Sequence, residues 1–243
     1  MSKYMETREL EIFSRQKNIM DRLGITAPVV FDIGANRGQS IESYRKYFPK
    51  GIFHSFEPNP EMAEEFEEHY AHDPLVSLYR TALAEAEGSL PFYKTAIPEA
   101  SSLLAPCELL TKLSNSNKYS YELLQVPVTT MDLWMEKQTK CQIDILKIDV
   151  QGAELRVLQG AKTLLANQAI SVIYLEITHA ETYDGQATFA ELINYLSVAC
   201  GYILWDILPF VYTVSGKVWV SNALFVSRTA ADKVDQICRA TLK

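Results

Sequence analysis

Val29-Val30-Phe31-Asp32-Ile33-Gly34-Ala35-Asn36-Arg37-Gly38 is the stretch on which the reading of this chain turns. An apolar run rich in β-branched residues ends in Asp-x-Gly-x-x-x-Gly, and Ile41, Tyr44 and Phe48 then follow at helical spacing. This is the pattern of strand, tight glycine turn and helix. In an open parallel α/β sheet such a turn lies at the carboxyl edge of a strand, where ligands bind between neighbouring crossovers. Gly34 and Gly38 supply dihedrals that a Cβ forbids and allow a close approach of backbone to ligand. A purely structural tight turn would leave the same trace, so the next strand has to decide.

That strand is Gly51-Ile52-Phe53-His54-Ser55-Phe56-Glu57, a second apolar run ending in an acid. An acid about twenty residues after the glycine turn accepts hydrogen bonds from ribose hydroxyls in nucleoside-binding halves of α/β sheets. Glu57 is therefore read as a ribose clamp, against the alternative of a surface carboxylate before a turn. A nicotinamide or flavin dinucleotide calls for Gly-x-Gly-x-x-Gly, with pyrophosphate on the helix N-terminus. Here Asn36 stands two residues after Gly34, and Asp32 would repel a pyrophosphate and attract a cation. S-adenosylmethionine, with ribose, adenine, a sulfonium and no phosphate, fits this pattern better.

Four segments in order, Phe31-Asp32-Ile33-Gly34-Ala35-Asn36-Arg37-Gly38-Gln39-Ser40, Phe56-Glu57-Pro58-Asn59-Pro60, Thr81-Ala82-Leu83-Ala84 and Leu146-Lys147-Ile148-Asp149-Val150-Gln151-Gly152-Ala153-Glu154, carry a wider likeness. The chain resembles the FkbM-type S-adenosylmethionine-dependent methyltransferases over residues 28 to 227. The resemblance implies a class I methyltransferase (Rossmann-like) fold of the α/β class, with a mostly parallel twisted sheet and helices on both faces. It implies S-adenosylmethionine as cofactor, bound by Asp32, Gly34, Asn36, Gly38, Glu57, Pro58, Ala82, Leu83 and Asp149. It also implies O-methylation of a hydroxyl on a saccharide or other small natural product. Gln151 departs from the family, which usually carries Glu at that place, so a role needing a carboxylate there is not expected.

With 243 residues the chain suits one α/β domain rather than two. Hydrophobic residues at 48% and charged residues at 22% are those of an ordinary globular protein. A net charge of -7 without a basic run argues against nucleic-acid binding, which rests on Lys and Arg neutralising phosphates. Cys107, Cys141, Cys200 and Cys238 are scattered and form no Cys-x-x-Cys pair, so free thiols are expected rather than a disulfide framework or a thiolate metal site. The N-terminus has no apolar signal core and no stretch reaches membrane-spanning length, which points to a cytoplasmic setting.

Residues 1–24 form an N-terminal amphipathic helix ending at Gly24, with Ile12, Phe13, Ile19, Met20 and Leu23 on one face. That face covers either the sheet or a second copy of the chain in a homo-oligomer. Residues 25–243 make the single domain. Asn59 caps the second crossover helix with Pro60 at its first position. Leu75–Tyr79 reads as a third strand, and Thr81-Ala82-Leu83 at its end would line an adenine pocket. Gly88–Tyr93 and Val126–Thr130 read as further strands, the latter on an edge because of Pro127. Between them residues 95–125 lack periodicity and are the candidate cover over the site. Within them Ser101-Ser102-Leu103 is similar to a family segment near the cofactor, though a plain loop reads as well.

Ile143–Asp149 is nearly all apolar, as a strand buried on both faces must be. A crossover helix with Val157, Leu158, Ala161, Leu164 and Leu165 follows, then strand Ser171–Glu176, then a helix opened by the capping box Thr188-Phe189-Ala190-Glu191. Residues 202–213 and 218–226, joined around Ser215-Gly216, form a terminal hairpin that places one antiparallel strand in the sheet.

Methyl transfer from a sulfonium is an in-line displacement in which the protein orients the reactants and excludes water. A hydroxyl acceptor also loses a proton, so a base is required. Asp149, Glu176 and His179 are the candidate catalytic residues, all at or just beyond strand ends; His179 has the best-matched unperturbed pKa but also a plain loop reading. Lys147 points to the same face as Asp149 and could pair with an acid or stabilise an oxyanion. Glu154 reads as a helix-dipole partner. Acids at the ends of the fourth and fifth strands bind a divalent ion in some methyltransferases of this fold, a place Asp149 and Glu176 occupy, but no His-acid cluster accompanies them and no metal ligands are assigned. A nucleoside-binding module without catalysis and a dinucleotide-dependent oxidoreductase are the competing classes.

Overall fold

The structure, a computed structural model, describes residues 3–108, 119–138, 143–213 and 215–241. Its central sheet has seven strands: β1 (Val29–Ile33), β2 (Ile52–Phe56), β3 (Val76–Tyr79), β7 (Ile143–Ile148), β8 (Ile170–Thr178), β9 (Ile203–Tyr212) and β10 (Val218–Val226), in the spatial order β3-β2-β1-β7-β8-β10-β9. All are parallel except β10, which runs antiparallel to both β8 and β9. From β1 the chain winds outward through β2 and β3, then returns to β7 on the other side. The winding reverses between β1 and β7, so the ligand crevice of the sheet lies at their carboxyl ends.

The sheet is buried on both faces, and the residues of β1 and β7 show why their sequences are so apolar. Phe31, Ile33, Leu146 and Ile148 face one layer, formed by α4 (Met131–Glu136), α5 (Glu154–Gln159), α6 (Lys162–Ala166) and α7 (Phe189–Ile193). Val30, Ile145, Val172 and Leu224 face the other, formed by α1 (Lys3–Arg22), α2 (Gln39–Arg45), α3 (Pro60–Tyr70) and α8 (Arg228–Thr241). Each fully buried large side chain here contributes about 1.5–3 kcal/mol by leaving water. Exposed ion pairs such as Arg80 with Glu67 are screened by solvent, so the two cores carry the fold.

Ile12, Phe13, Ile19 and Met20 of α1 are all buried in the second layer, beside Tyr44 and Tyr174. Of the two readings of this helix, the sheet-covering one describes what it does in the monomer. Asn59 accepts from the Glu61 amide and Pro60 opens α3, as the sequence suggests. The capping box of Thr188 and Glu191 is formed, and α7 continues as a π-helical turn over Asn194–Ala199.

Three details differ from the sequence reading. The crossover helix between β7 and β8 is two short helices separated at Gly160, whose backbone lies so close to Ala84 that a Cβ would stand 2.1 Å from the Ala84 carbonyl oxygen. The strand containing Pro127 starts earlier, as β6 (Tyr121–Thr129), and is central rather than an edge in a small sheet ordered β4-β6-β5, with β4 (Ala82–Leu83) and β5 (Gly88–Thr95). Its proline is tolerated because β4 pairs only with Val128 and Thr129, and the Pro127 carbonyl accepts from the Thr81 hydroxyl instead. Finally, part of the expected cover is ordered: a 3-10 turn spans Pro98–Ala100 and Ser102 bridges back to Tyr93, while residues 109–118 lie outside the described residues.

Cys107, Cys200 and Cys238 are free thiols; Cys141 lies outside the described residues. Among the described residues no helix is long and apolar enough to cross a membrane.

Candidate active site

The glycine turn is held from two sides. The amides of Gly34 and Ala35 both donate to the Phe56 carbonyl, at 3.0 and 3.1 Å, which ties the end of β1 to the end of β2. Gly34, at φ 78°, lies against the end of β7: a Cβ there would be 2.0 Å from the Asp149 carbonyl oxygen. Glycine at this position is required by the protein's own strand packing. Gly38, at φ 87°, faces α3, where a Cβ would meet the Tyr70 ring at 2.4 Å, and it does not line the cavity. Glycine at this position is required by the packing of α3 against the turn. Asn36 takes a left-handed conformation, φ 49°, and its amide donates to Glu57 Oε2 at 2.8 Å.

Glu57 is buried, and its other oxygen, Oε1, accepts from the Asn59 amide at 2.8 Å. A carboxylate has about four acceptor positions, so two remain for hydroxyl donors. Burial pushes its pKa up to about 7, against the two amides that favour the charged form. Glu57 lines a cavity of about 320 Å³ together with Gly34, Asn36, Pro58, Ala82 and Leu83. Ser102 and Leu103 close it from the small-sheet side, with Ser102 Oγ 2.9 Å from the Gln151 carbonyl oxygen.

The other end of the cavity is a network of charges. Lys147 Nζ lies 3.0 Å from Asp32 Oδ1 and 3.5 Å from Asp149 Oδ2. Burial alone would lower the Lys147 pKa; Asp32 and Asp149 outweigh it and hold the ammonium above its ordinary value. Asp32, expected at the cofactor, is fully buried, stands outside the cavity lining and pairs with Lys147. The cation that its carboxylate attracts is the protein's own.

Asp149 and Glu176 both line the cavity, joined by Gln151: its Nε2 is 2.9 Å from Asp149 Oδ1 and 3.1 Å from Glu176 Oε1. Burial first, then the Asp149 charge, pushes the Glu176 pKa up to about 8. Glu154 accepts from the Val150 and Gly152 amides at 3.2 and 3.1 Å and pins the turn that carries Gln151, a more specific function than a dipole partner. His179 is outside the lining; its Nε2 is 2.7 Å from Ser221 Oγ, and burial lowers its pKa. The sequence places it at a strand end, but the loop turns it toward β10.

Phe13, Tyr174 and Asn222 also line this end, and none was singled out from the sequence. Tyr174 donates to Asn222 Oδ1 at 3.1 Å, and Asn222 pairs across the strands with Glu176. The available signal was Ser221-Asn222 inside the otherwise apolar strand β10; Phe13 carried no such mark, being one more apolar residue of an amphipathic helix. Among the described residues no group of three or more His, Cys, Asp or Glu could hold a metal ion.

The family model of the methyltransferase FkbM domain matches residues 32–204 of this chain. This chain belongs to the FkbM methyltransferase family. A relative, the 2-O-methyltransferase NoeI of Sinorhizobium fredii (strain NBRC 101917 / NGR234), is 25% identical over 185 residues, which cover 74% of this chain and 75% of NoeI. The solved structure of methyltransferase FkbM from Methylobacillus flagellatus KT superposes with a TM-score of 0.52 at 13% identity, over 82% of this chain. The match spans 44% of that longer chain, and at this identity it speaks for the fold alone. With the strand order and the antiparallel β10, it makes the fold that of the class I methyltransferases.

Proposed function

We propose that this methyltransferase uses S-adenosylmethionine and transfers the methyl to a hydroxyl of a small-molecule acceptor, a saccharide or similar natural product. The observation that carries the reading is Glu57: a buried carboxylate at the switch point, fixed by two backbone amides and facing a cavity with acceptor positions to spare. Ribose hydroxyls match those positions, and Pro58, Ala82 and Leu83 supply the flat apolar walls that an adenine needs. Glu57, Asp149 and Glu176 make the lining acidic, and Lys147 is already engaged by two carboxylates. Such a lining suits a sulfonium and an ammonium better than a pyrophosphate. The hydroxyl acceptor rests on the name of the relative NoeI, a 2-O-methyltransferase.

When bound, S-adenosylmethionine supplies an electrophilic methyl on its sulfonium. Asn36, Glu57 and the glycine turn hold the nucleoside, and the acceptor hydroxyl is oriented at the Asp149 and Glu176 end. The proton that the acceptor hydroxyl loses would pass to a carboxylate at this end of the cavity. Glu176 is the better-matched base, because a pKa near the working pH combines an available base form with real basicity. Asp149, held between Lys147 and Gln151, orients the acceptor.

Calorimetric titration with S-adenosylmethionine, S-adenosylhomocysteine and NAD, on native protein and Glu57→Ala, tests the reading. Binding of both sulfur nucleosides that the substitution weakens at least about tenfold, without competition from NAD, is expected. Binding of NAD in their place would overturn it.

A further inference from the structure

Gln151 sits where the two acceptor-end carboxylates converge, and its placement is built by several independent contacts. Its backbone is left-handed, φ 55°, and the next residue, Gly152, is too, at φ 93°. Two consecutive left-handed residues turn the chain sharply after β7, and a Cβ on Gly152 would stand 3.0 Å from the Gln186 Cβ. Glu154 fixes both ends of this turn through the Val150 and Gly152 amides. The side chain is held from behind as well: Tyr183, buried, places its hydroxyl 3.3 Å from Gln151 Oε1 and donates to the Ala100 carbonyl at 2.9 Å.

Gln151 Nε2 stands 2.9 Å from an Asp149 oxygen and 3.1 Å from a Glu176 oxygen, the arrangement in which the NH2 group donates to both. Its two protons serve one carboxylate each. Asp149 then has Oδ1 on the amide and Oδ2 near the Lys147 ammonium, so both of its oxygens face positive charge. A divalent cation bridging Asp149 and Glu176 would have to sit where the amide protons point. It would find two carboxylates and a group of the wrong polarity, where Mg²⁺ or Mn²⁺ calls for a shell of oxygen ligands. The residues present do not fit a metal.

We propose that Gln151 is a positioning residue whose amide takes the place of a bridging cation, holding Asp149 and Glu176 together as a metal-free pair that faces the acceptor. The proposal rests on the reading of this end as the acceptor site of a methyltransferase. It assigns a physical consequence to the departure at position 151: with Glu there, three carboxylates would converge on one point beside Lys147 and call for a cation. With Gln, the same geometry is neutralised by hydrogen bonds.

The test is a titration of Mn²⁺ against full-length protein, followed by the loss of the free-ion electron paramagnetic resonance signal. Native protein is expected to show no saturable site that depends on Asp149. Gln151→Glu, which keeps side-chain length, is expected to gain one site per chain, at least about tenfold tighter than any native binding and abolished by adding Asp149→Asn. Saturable Mn²⁺ binding by native protein that Asp149→Asn removes would overturn the proposal. So would a folded Gln151→Glu that gains no site, because the amide would then not be what takes the cation's place. Should Gln151→Glu fail to fold, native protein against Asp149→Asn still decides. Neither readout involves the sulfur nucleosides, so a failed methyltransferase reading shows in the calorimetry and leaves this result separate.

Discussion

Gly34 and Asp149 touch backbone to backbone: a single methyl group on Gly34 would stand 2.0 Å from the Asp149 carbonyl oxygen. The contact joins the ends of β1 and β7, the two strands between which the sheet reverses its winding. The Glu57 end and the Asp149–Glu176 end of the cavity are therefore brought together by one close approach.

Gly34→Ala is expected to cost about 2–4 kcal/mol, from a left-handed backbone at φ 78° together with a clash that flexible side chains cannot relieve. Urea unfolding measures it. An unchanged midpoint would show that the two strand ends can separate freely.

Lys147→Met leaves Asp32 buried without a counter-charge and is expected to cost about 3–5 kcal/mol. The double variant Asp32→Asn, Lys147→Met should recover most of that loss, since no unpaired charge remains. If the double variant is as unstable as the single, the pair contributes packing rather than charge balance.

Affinity for S-adenosylhomocysteine is expected to rise with pH through about 7, where the buried Glu57 ionises and becomes the better acceptor for ribose hydroxyls. Glu57→Gln should bind more weakly and lose this dependence. A native affinity that is flat from pH 6 to about 8 would remove Glu57 from the ribose contact.

Burial raises Glu154 from an ordinary 4.5 to about 7. In that window the folded chain keeps a proton that the unfolded chain has released, so the contribution to stability is present at low pH and is lost as pH rises. Glu154→Gln retains an acceptor for the Val150 and Gly152 amides and removes the titration. Its unfolding free energy should fall less than that of native protein between pH 5 and 8, by roughly 2 kcal/mol. Parallel pH profiles of the two proteins would contradict the assignment.

With an acceptor in hand, kcat is expected to rise with pH through about 8 as Glu176 becomes a base, and Glu176→Gln to lower kcat by about 10²–10⁴. His179→Ala, which removes a side chain outside the cavity lining, should change kcat less than Glu176→Gln does. The reverse order would move the base to the histidine.

The strand-turn-helix at Val29–Gly38, the acid at Glu57, the doubly buried strand ending at Asp149 and the final hairpin were legible from local pattern alone. Each depends on properties that neighbouring residues carry together: burial on one face or both, a left-handed turn, a capping side chain. Pairing across the fold was not legible. Nothing local distinguishes Asp32, which anchors Lys147 from a neighbouring strand, from an acid that meets a ligand. His179 has a suitable unperturbed pKa and stands at a strand end, yet its loop turns it onto Ser221 and burial lowers its pKa. Phe13 lies more than 130 residues from the cavity-lining residues of β7, β8 and β10 and reaches the cavity because α1 packs across the sheet.

By itself, then, the order of apolar runs, glycines and acids determined the class of fold and the edge of the sheet at which the cavity lies, because backbone sterics and solvent exposure act locally. The tertiary structure alone decided which of the acids at that edge face the cavity, which are consumed in buried pairs, and that Gln151 bridges two of them. Charge pairing depends on distances of about 3 Å between strands far apart in the chain, and no periodicity records such distances.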